Sequence, residues 1–161
     1  MSSKVNIAVD TMGGENAPEK IIDGIEISLQ SNQENFFFLY GREDSLEKVI
    51  AKKKLIKQYS KIINTKDVIS DEESPLNAAK RGKESSMWKA IESQKENSSD
   101  ISLSAGNTGA LLVISRLILN SIKGISKPAL AGLWPNNHSM NVVLDLGANI
   151  ECDEKNLVDF A

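Results

Sequence analysis

Several short segments of this sequence combine glycines with amide, hydroxyl and charged side chains, a combination typical of sites that bind anions. The residues are Asp10, Gly13 and Gly14, then Arg81, Lys83, Ser85 and Ser86, then Gly106, Asn107, Thr108 and Gly109, and finally Asp145 and Asn149. Backbone N–H groups at a helix N-terminus attract anions, and glycine lets a ligand approach the backbone closely. The pattern therefore predicts a site for phosphate or for an oxyanion that develops during a reaction.

The stretch SLSAGNTGALLVI, residues 102–114, carries the clearest of these signals. A short apolar run meets a turn with two glycines and then passes directly into an apolar segment, which predicts a strand, a tight turn and a buried helix. Asn107 and Thr108 either donate hydrogen bonds to a bound anion or only cap the helix. The sequence leaves these two interpretations open.

A second segment is basic within an acidic chain. Lys80, Arg81 and Lys83 form a basic cluster, and two serines follow it just before a helical pattern. If Gly82 interrupts the helix, one of these serines caps a new helix N-terminus that has basic side chains beside it. The alternative is a charged helix face that only contacts solvent.

Asp10 and Asp145 both stand where an apolar strand pattern ends and a turn that contains glycine begins. Each carboxylate either orients a hydroxyl, an amide or a phosphate-binding loop, or accepts hydrogen bonds from the backbone of the next turn. The sequence favours neither interpretation.

Composition argues against several classes of protein. The chain has 161 residues, 40% of them hydrophobic and 25% charged, and a net charge of −3, which predicts a globular protein and no nucleic-acid partner. Its single cysteine, Cys152, forms no internal disulfide, and its single histidine, His138, lies in a polar turn, so we expect neither a metal nor a cofactor. The strand pattern at the N-terminus and the short apolar run near 110–119 predict a cytoplasmic protein without a signal peptide.

Strands that alternate with helices must position these segments. Strand patterns lie at 4–10, 35–41, 61–69, 100–106, 128–134 and 141–147, and helical patterns at 44–58 and, interrupted at Gly82, at 75–96. The alternation predicts a single α/β domain over 1–161, with a doubly wound, mostly parallel sheet and helices on both faces. Since ligands bind outside the carboxyl ends of such strands, we expect most of the polar segments at one edge of the sheet.

Five motifs occur in the order found in one known family: IAVDTMGGENAPE at 7–19, ESPLNAAKRGKESSMWKAI at 73–91, SLSAGNTGALL at 102–112, ISKPALAGLWP at 125–135 and VLDLGANIEC at 143–152. The chain resembles the phosphate acyltransferases of bacterial phospholipid synthesis, which convert acyl carrier protein thioesters and inorganic phosphate into acyl phosphates. Thr11, Glu15 and Glu84 replace the family's usual Ala, Asp and Asp, and Gly82 stands where a basic residue is expected. Family members continue well beyond residue 161, so the resemblance is to their N-terminal part.

The resemblance implies an acyltransferase whose partners are acyl carrier protein and inorganic phosphate. Phosphate is already a nucleophile near neutral pH and a thiolate leaves readily, so the site needs to hold phosphate against a thioester and stabilise an oxyanion. We expect Asn107, Thr108, Ser85 and Ser86 to act in catalysis. The residues expected to bind phosphate or substrate are Asp10, Gly13, Gly14, Arg81, Lys83, Gly106, Gly109, Asp145 and Asn149. No catalytic triad is required.

Two other functions remain open. One is a phosphotransacetylase-like enzyme that uses acyl-CoA, and the other is a non-catalytic or split-enzyme fragment that needs a separate C-terminal part. The resemblance also implies a homo-oligomer, a dimer in the family, and contact with a membrane only through the absent part.

Overall fold

The computed structural model describes residues 4–149 and 151–160. These residues form two compact units, of which the first ends at Leu119 and the second begins at Asn120. Each unit is described by itself below. That residues 1–161 form a single domain stays a prediction.

The first unit contains a parallel sheet of four strands in the order β3-β2-β1-β4. The strands are β1 (Asn6–Asp10), β2 (Phe36–Gly41), β3 (Ser60–Asn64) and β4 (Ile101–Ser104). The strand order reverses beside β1, because β2 and β3 follow on one side of it and β4 lies on the other. The predicted α/β class with a mostly parallel sheet is confirmed.

Six helices surround this sheet. They are α1 (Glu19–Ser31), α2 (Glu43–Ile50), α3 (Lys54–Tyr59), α4 (Pro75–Arg81), α5 (Ser86–Lys95) and α6 (Thr108–Leu119), and a 3₁₀ turn at Gly82–Glu84 joins α4 to α5. The predicted interruption of the 75–96 helix at Gly82 is therefore confirmed.

Both faces of the sheet are covered by helices, as the alternation of strands and helices predicts. On one face, Val9 and Leu39 pack against apolar residues of α1, α2 and α3, among them Ile22, which is fully buried. On the other face, Ala8 and Tyr40 pack against α5. A separate apolar cluster joins α4, α5 and α6.

Two predicted boundaries differ from the structure. The helix expected over 44–58 is divided into α2 and α3 by a turn, which Lys53 ties to α1 through ion pairs with Asp23 at 2.8 Å and with Glu26. The strand expected over 61–69 ends at Asn64. Beyond it, the N–H groups of residues 66 and 67 both donate to the carbonyl of Glu84, so the chain leaves the sheet to pair with the 3₁₀ turn.

The second unit contains an antiparallel hairpin of β5 (Ala131–Pro135) and β6 (Met140–Leu144), followed by α7 (Glu154–Phe160). The expectation that 128–134 and 141–147 extend the parallel sheet is therefore wrong. Parallel neighbours need a long crossover connection, whereas the link from Pro135 to Met140 is a tight turn in which Asn136 Oδ1 accepts from two backbone N–H groups. Within the described residues, no helix has the length and apolarity needed to cross a bilayer.

Candidate functional site

The carboxyl ends of β1 and β4 meet at the reversal of strand order, where open parallel sheets bind ligands. Asp10 stands opposite Ser104 in the register of these strands and is only 2% exposed. Its Oδ2 accepts a hydrogen bond from Ser104 Oγ at 2.7 Å, and its Oδ1 accepts from the N–H of Met12 at 3.2 Å. Ser104 Oγ also accepts from the N–H of Gly106 at 3.1 Å. The Asp10 carboxylate therefore connects the loop that follows β1 to the loop that follows β4.

Three glycines allow these loops to pack backbone against backbone. A Cβ on Gly13 would lie 2.5 Å from Asp10 Oδ2 and 3.0 Å from the N atom of Gly106, and a Cβ on Gly106 would lie 3.0 Å from Gly13 Cα. Gly14 has a φ of +95° and a Cβ there would lie 2.6 Å from the carbonyl oxygen of Ala105. The glycines are therefore needed for loop packing, whether or not a ligand also approaches them.

Asn107 directly precedes α6, and both ends of its side-chain amide make contacts within the first unit. Its Oδ1 accepts from the N–H of Ala110 at 3.0 Å, so Asn107 caps α6. Its Nδ2 lies 3.2 Å from the carbonyl oxygens of Ser70 and Asp71 and 2.8 Å from that of Glu73. Asn107 therefore clamps the 70–73 loop to the start of α6, and its direct contact with phosphate stays a prediction.

The N-termini of α4 and α6 lie side by side next to this clamp. A Cβ on Gly109 would lie 2.7 Å from Cγ of Pro75, the first residue of α4, so glycine is needed for the close approach. Thr108 is the first residue of α6 and is exposed. The first N–H groups of a helix have no partner within that helix, so the start of α6 offers donors at this edge. Helix α4 begins with Pro75, which has no N–H to donate.

Ser85 and Ser86, at the start of α5, have different environments. Ser85 is buried and caps α5, because its Oγ accepts from the N–H of Trp88 at 3.2 Å and donates to the carbonyl of Gly82 at 2.5 Å. Ser86 is 1% exposed, and its hydroxyl has no hydrogen-bond partner among the described residues. The hydroxyl of Thr65 is buried and unpaired in the same way. Leaving such a group unsatisfied costs about 1–3 kcal/mol.

Arg81 and Ser85 line a cavity of about 300 Å³ at the junction of α4 and α5. Arg42, Asp67 and Glu73 line the same cavity, so two arginines and two acidic residues contribute to its lining. Glu73 links the cavity to the clamp, because its carbonyl accepts from Asn107. Lys83 is exposed and does not line this cavity.

The sequence interpretation did not identify Ser104, Arg42 or Thr65. Ser104 and Arg42 stand at or directly after the carboxyl ends of β4 and β2, so the strand-end rule applied to Asp10 also selects them. Thr65 directly follows the carboxyl end of β3, but the strand predicted from the sequence extends to residue 69, so the rule could not select it there.

Asp145 and Asn149 belong to the second unit. Asp145 has a φ of +57°, and its Oδ1 accepts from the backbone N–H of Asn149 at 3.2 Å and from Nδ2 of Asn149 at 2.9 Å. Asn149 Nδ2 also lies 3.0 Å from the carbonyl oxygen of Pro128. These contacts confirm that Asp145 caps the turn that follows β6. Among the described residues, no group of three His, Cys, Asp or Glu side chains is placed to hold a metal ion.

The first unit therefore has an open α/β fold, and polar loops meet where the order of its strands reverses. Residues 5–161 match the model of a family described as fatty acid synthesis protein, and the chain belongs to that family. It is 55% identical to a phosphate acyltransferase of Pelagibacter ubique, with 100% of this chain and 48% of the relative covered. It is 43% identical to one of Bradyrhizobium diazoefficiens, with 100% and 46% covered, and 41% identical to one of Ehrlichia ruminantium, with 99% and 48% covered.

These matches confirm the family resemblance. The chain spans about half the length of the relatives it matches.

Proposed function

We propose that this chain supplies the phosphate-binding part of an acyltransferase that makes acyl phosphate from acyl carrier protein thioesters and inorganic phosphate, for phospholipid synthesis. The observation that carries the proposal is the meeting of the β1 and β4 loops through Asp10 and Ser104 at the strand reversal, next to the start of α6. That start has a cap but no acidic residue in its first turn, which suits an anion.

In this proposal, phosphate binds at the N-terminus of α6, and Arg81 approaches it from the adjacent cavity. The backbone N–H groups of Thr108 and Gly109 supply donors, and the guanidinium of Arg81 supplies charge-assisted ones. Ser86 supports the same site from the start of α5, because its buried hydroxyl lacks a partner. Asn107 acts as a positioning residue, since its amide holds the 70–73 loop.

The proposed reaction needs little proton transfer. A phosphate oxygen attacks the thioester carbonyl carbon, a C–O bond forms, and the carbonyl oxygen becomes an oxyanion that backbone N–H groups at the N-terminus of α6 stabilise. Collapse of this intermediate breaks the C–S bond and releases the thiolate of the carrier, which takes a proton from solvent. Because phosphate is a nucleophile and thiolate is a good leaving group, positioning the two reactants accounts for most of the rate acceleration.

The half-length match favours a related second candidate. We propose that the site is completed by sequence that the relatives have in addition to the matched segment, either in the same polypeptide or in a separate one. The present chain by itself then binds phosphate and turns over acyl thioester slowly, because an incomplete cleft does not exclude water. A homo-oligomer would be assembled from the completed protein.

Titration with inorganic phosphate by isothermal calorimetry tests the phosphate site. The Arg81→Ala variant should bind phosphate at least about tenfold more weakly than the parent, since a charge-assisted hydrogen bond is worth about 1.5–3 kcal/mol. Lys52→Ala removes an equal charge from the turn between α2 and α3 and should leave the affinity unchanged. Equal affinities of the parent and Arg81→Ala would contradict the assignment.

A further inference from the structure

An apolar groove of about 360 Å³ runs along the first unit between α1 and the β1–β4 pair. Its walls come from Val9 and Leu103 on the sheet and from Ile21, Gly24 and Ile25 on α1. The register places Val9 opposite Leu103, so both side chains lie on the face that α1 covers. Leu103 is nevertheless 47% exposed, because α1 does not extend over β4.

One end of the groove is polar, and this end is the edge where the β1 and β4 loops meet. Asp10, Ser104 and Ala105 line the groove at the carboxyl ends of the strands, and Lys20 lines it from the first turn of α1. The rest of the lining, toward Ile7 at the start of β1, is mostly apolar. The volume lies within the range of about 300–1,000 Å³ that is usual for small-molecule sites with a few polar groups.

Gly24 keeps this groove open. It lies in the interior of α1, where glycine is less favourable than alanine, and its φ is not in the left-handed region. A Cβ at this position would meet no atom within 4 Å, so packing within the described residues does not require a glycine. A larger side chain there would project from the wall of α1 into the groove.

We propose that the groove binds the fatty acyl chain of the thioester substrate, with the carbonyl carbon at the Asp10–Ser104 edge and the chain directed toward Ile7. This inference rests on the proposed function. An acyl chain fits the observations because it is apolar along its length and polar only at the end that reacts, as the groove is. Burial of each methylene would tighten binding by up to about fourfold.

The test compares inorganic phosphate, butylphosphonate and dodecylphosphonate as ligands of the 161-residue chain in calorimetric titrations. The parent should bind dodecylphosphonate at least about a hundredfold more tightly than butylphosphonate. Gly24→Phe should remove most of this preference and leave the affinity for inorganic phosphate, which has no alkyl chain to enter the groove, unchanged. Gly24→Ala is the matched control and should keep most of the preference, and Leu103→Gln should reduce it through the opposite wall.

The outcomes separate this inference from the proposed function. A parent that binds inorganic phosphate but shows no chain-length preference, or a Gly24→Phe variant that keeps the preference, overturns the groove assignment alone. A parent that prefers dodecylphosphonate but does not bind inorganic phosphate contradicts the phosphate site and supports the groove. If Gly24→Phe changes the sedimentation of the chain but not its ligand preference, the groove is an interface between copies and the inference is wrong.

Discussion

Ser104 Oγ donates a hydrogen bond of 2.7 Å to Oδ2 of Asp10, and the two residues stand opposite each other at the carboxyl ends of β4 and β1. These strands are far apart in the sequence, so this contact closes the strand reversal of the sheet. It also fixes the Gly13 and Gly106 loops against each other, because both loops begin at this pair.

Removing the Ser104 hydroxyl should destabilise the chain, because a buried carboxylate oxygen then loses its donor. For Ser104→Ala we expect a loss of about 1–3 kcal/mol in the free energy of unfolding, measured by urea denaturation. Ser102→Ala is the control on the same strand, since Ser102 Oγ donates to Gln94 Oε1 at 2.9 Å in a less buried place, and should cost about 1 kcal/mol or less. Equal losses for the two variants would show that the hydrogen bond to Asp10 stabilises the fold no more than the hydrogen bond to Gln94 does.

Substitutions of Asn107 should separate its two contacts. Asn107→Asp keeps an oxygen that caps α6 but loses the Nδ2 donors to the 70–73 loop, whereas Asn107→Ala loses both. Amide hydrogen exchange in residues 70–74 should therefore quicken in both variants. Helix α6 should be weakened only in Asn107→Ala, by about 0.5–2 kcal/mol. Unchanged exchange of the loop in both variants would contradict the clamp.

The proposed function implies docking of an acyl carrier protein, and because these proteins are acidic, a basic surface beside the site should guide the docking. Lys80 and Lys83 are exposed and flank Arg81 and Gly82, two residues that line the cavity, so they are the preferred candidates. The double variant Lys80→Glu, Lys83→Glu should slow association by about tenfold at low salt and less at high salt. Lys52→Glu, Lys54→Glu carries the same charge change away from the cavity, and an equal effect there would reject the assignment. Stopped-flow fluorescence measures the rates.

The hairpin of the second unit should drive self-association of the 161-residue chain. The register gives β5 and β6 one face that carries only apolar side chains, among them Leu133 and Val142, which are paired and 67% and 65% exposed. Sedimentation velocity should show concentration-dependent association that Val142→Lys reduces. Asn141→Lys adds the same charge to the opposite face of β6 and should have little effect. A chain that stays monomeric at high concentration would contradict this.

Much of the first unit follows from local patterns in the sequence. The strands β1, β2 and β4, the break at Gly82 and the cap at Ser85 are found where apolar runs, glycine and serine predict them. These features depend on residues close in sequence, and local propensity and capping determine them.

The contacts that assemble the site could not be predicted in this way. The amide of Asn107 reaches carbonyls more than thirty residues away, and the pairing of Ser104 with Asp10 depends on which strands become neighbours. The hairpin is a different case. Apolar runs do not distinguish parallel from antiparallel strands, but the short interval between Pro135 and Met140 leaves no room for a crossover and was the available signal.

The most direct test of the account uses a chimaera in which this chain replaces the matching segment of the Pelagibacter ubique phosphate acyltransferase, to which it is 55% identical. Release of thiol from acyl carrier protein thioester is measured with and without inorganic phosphate, and the acyl product is identified by mass spectrometry. We predict phosphate-dependent release with acyl phosphate as product, lowered about a hundredfold or more by Arg81→Ala and not by Lys52→Ala. A folded chimaera that releases thiol equally without phosphate, or that keeps its full rate with Arg81→Ala, would contradict the account.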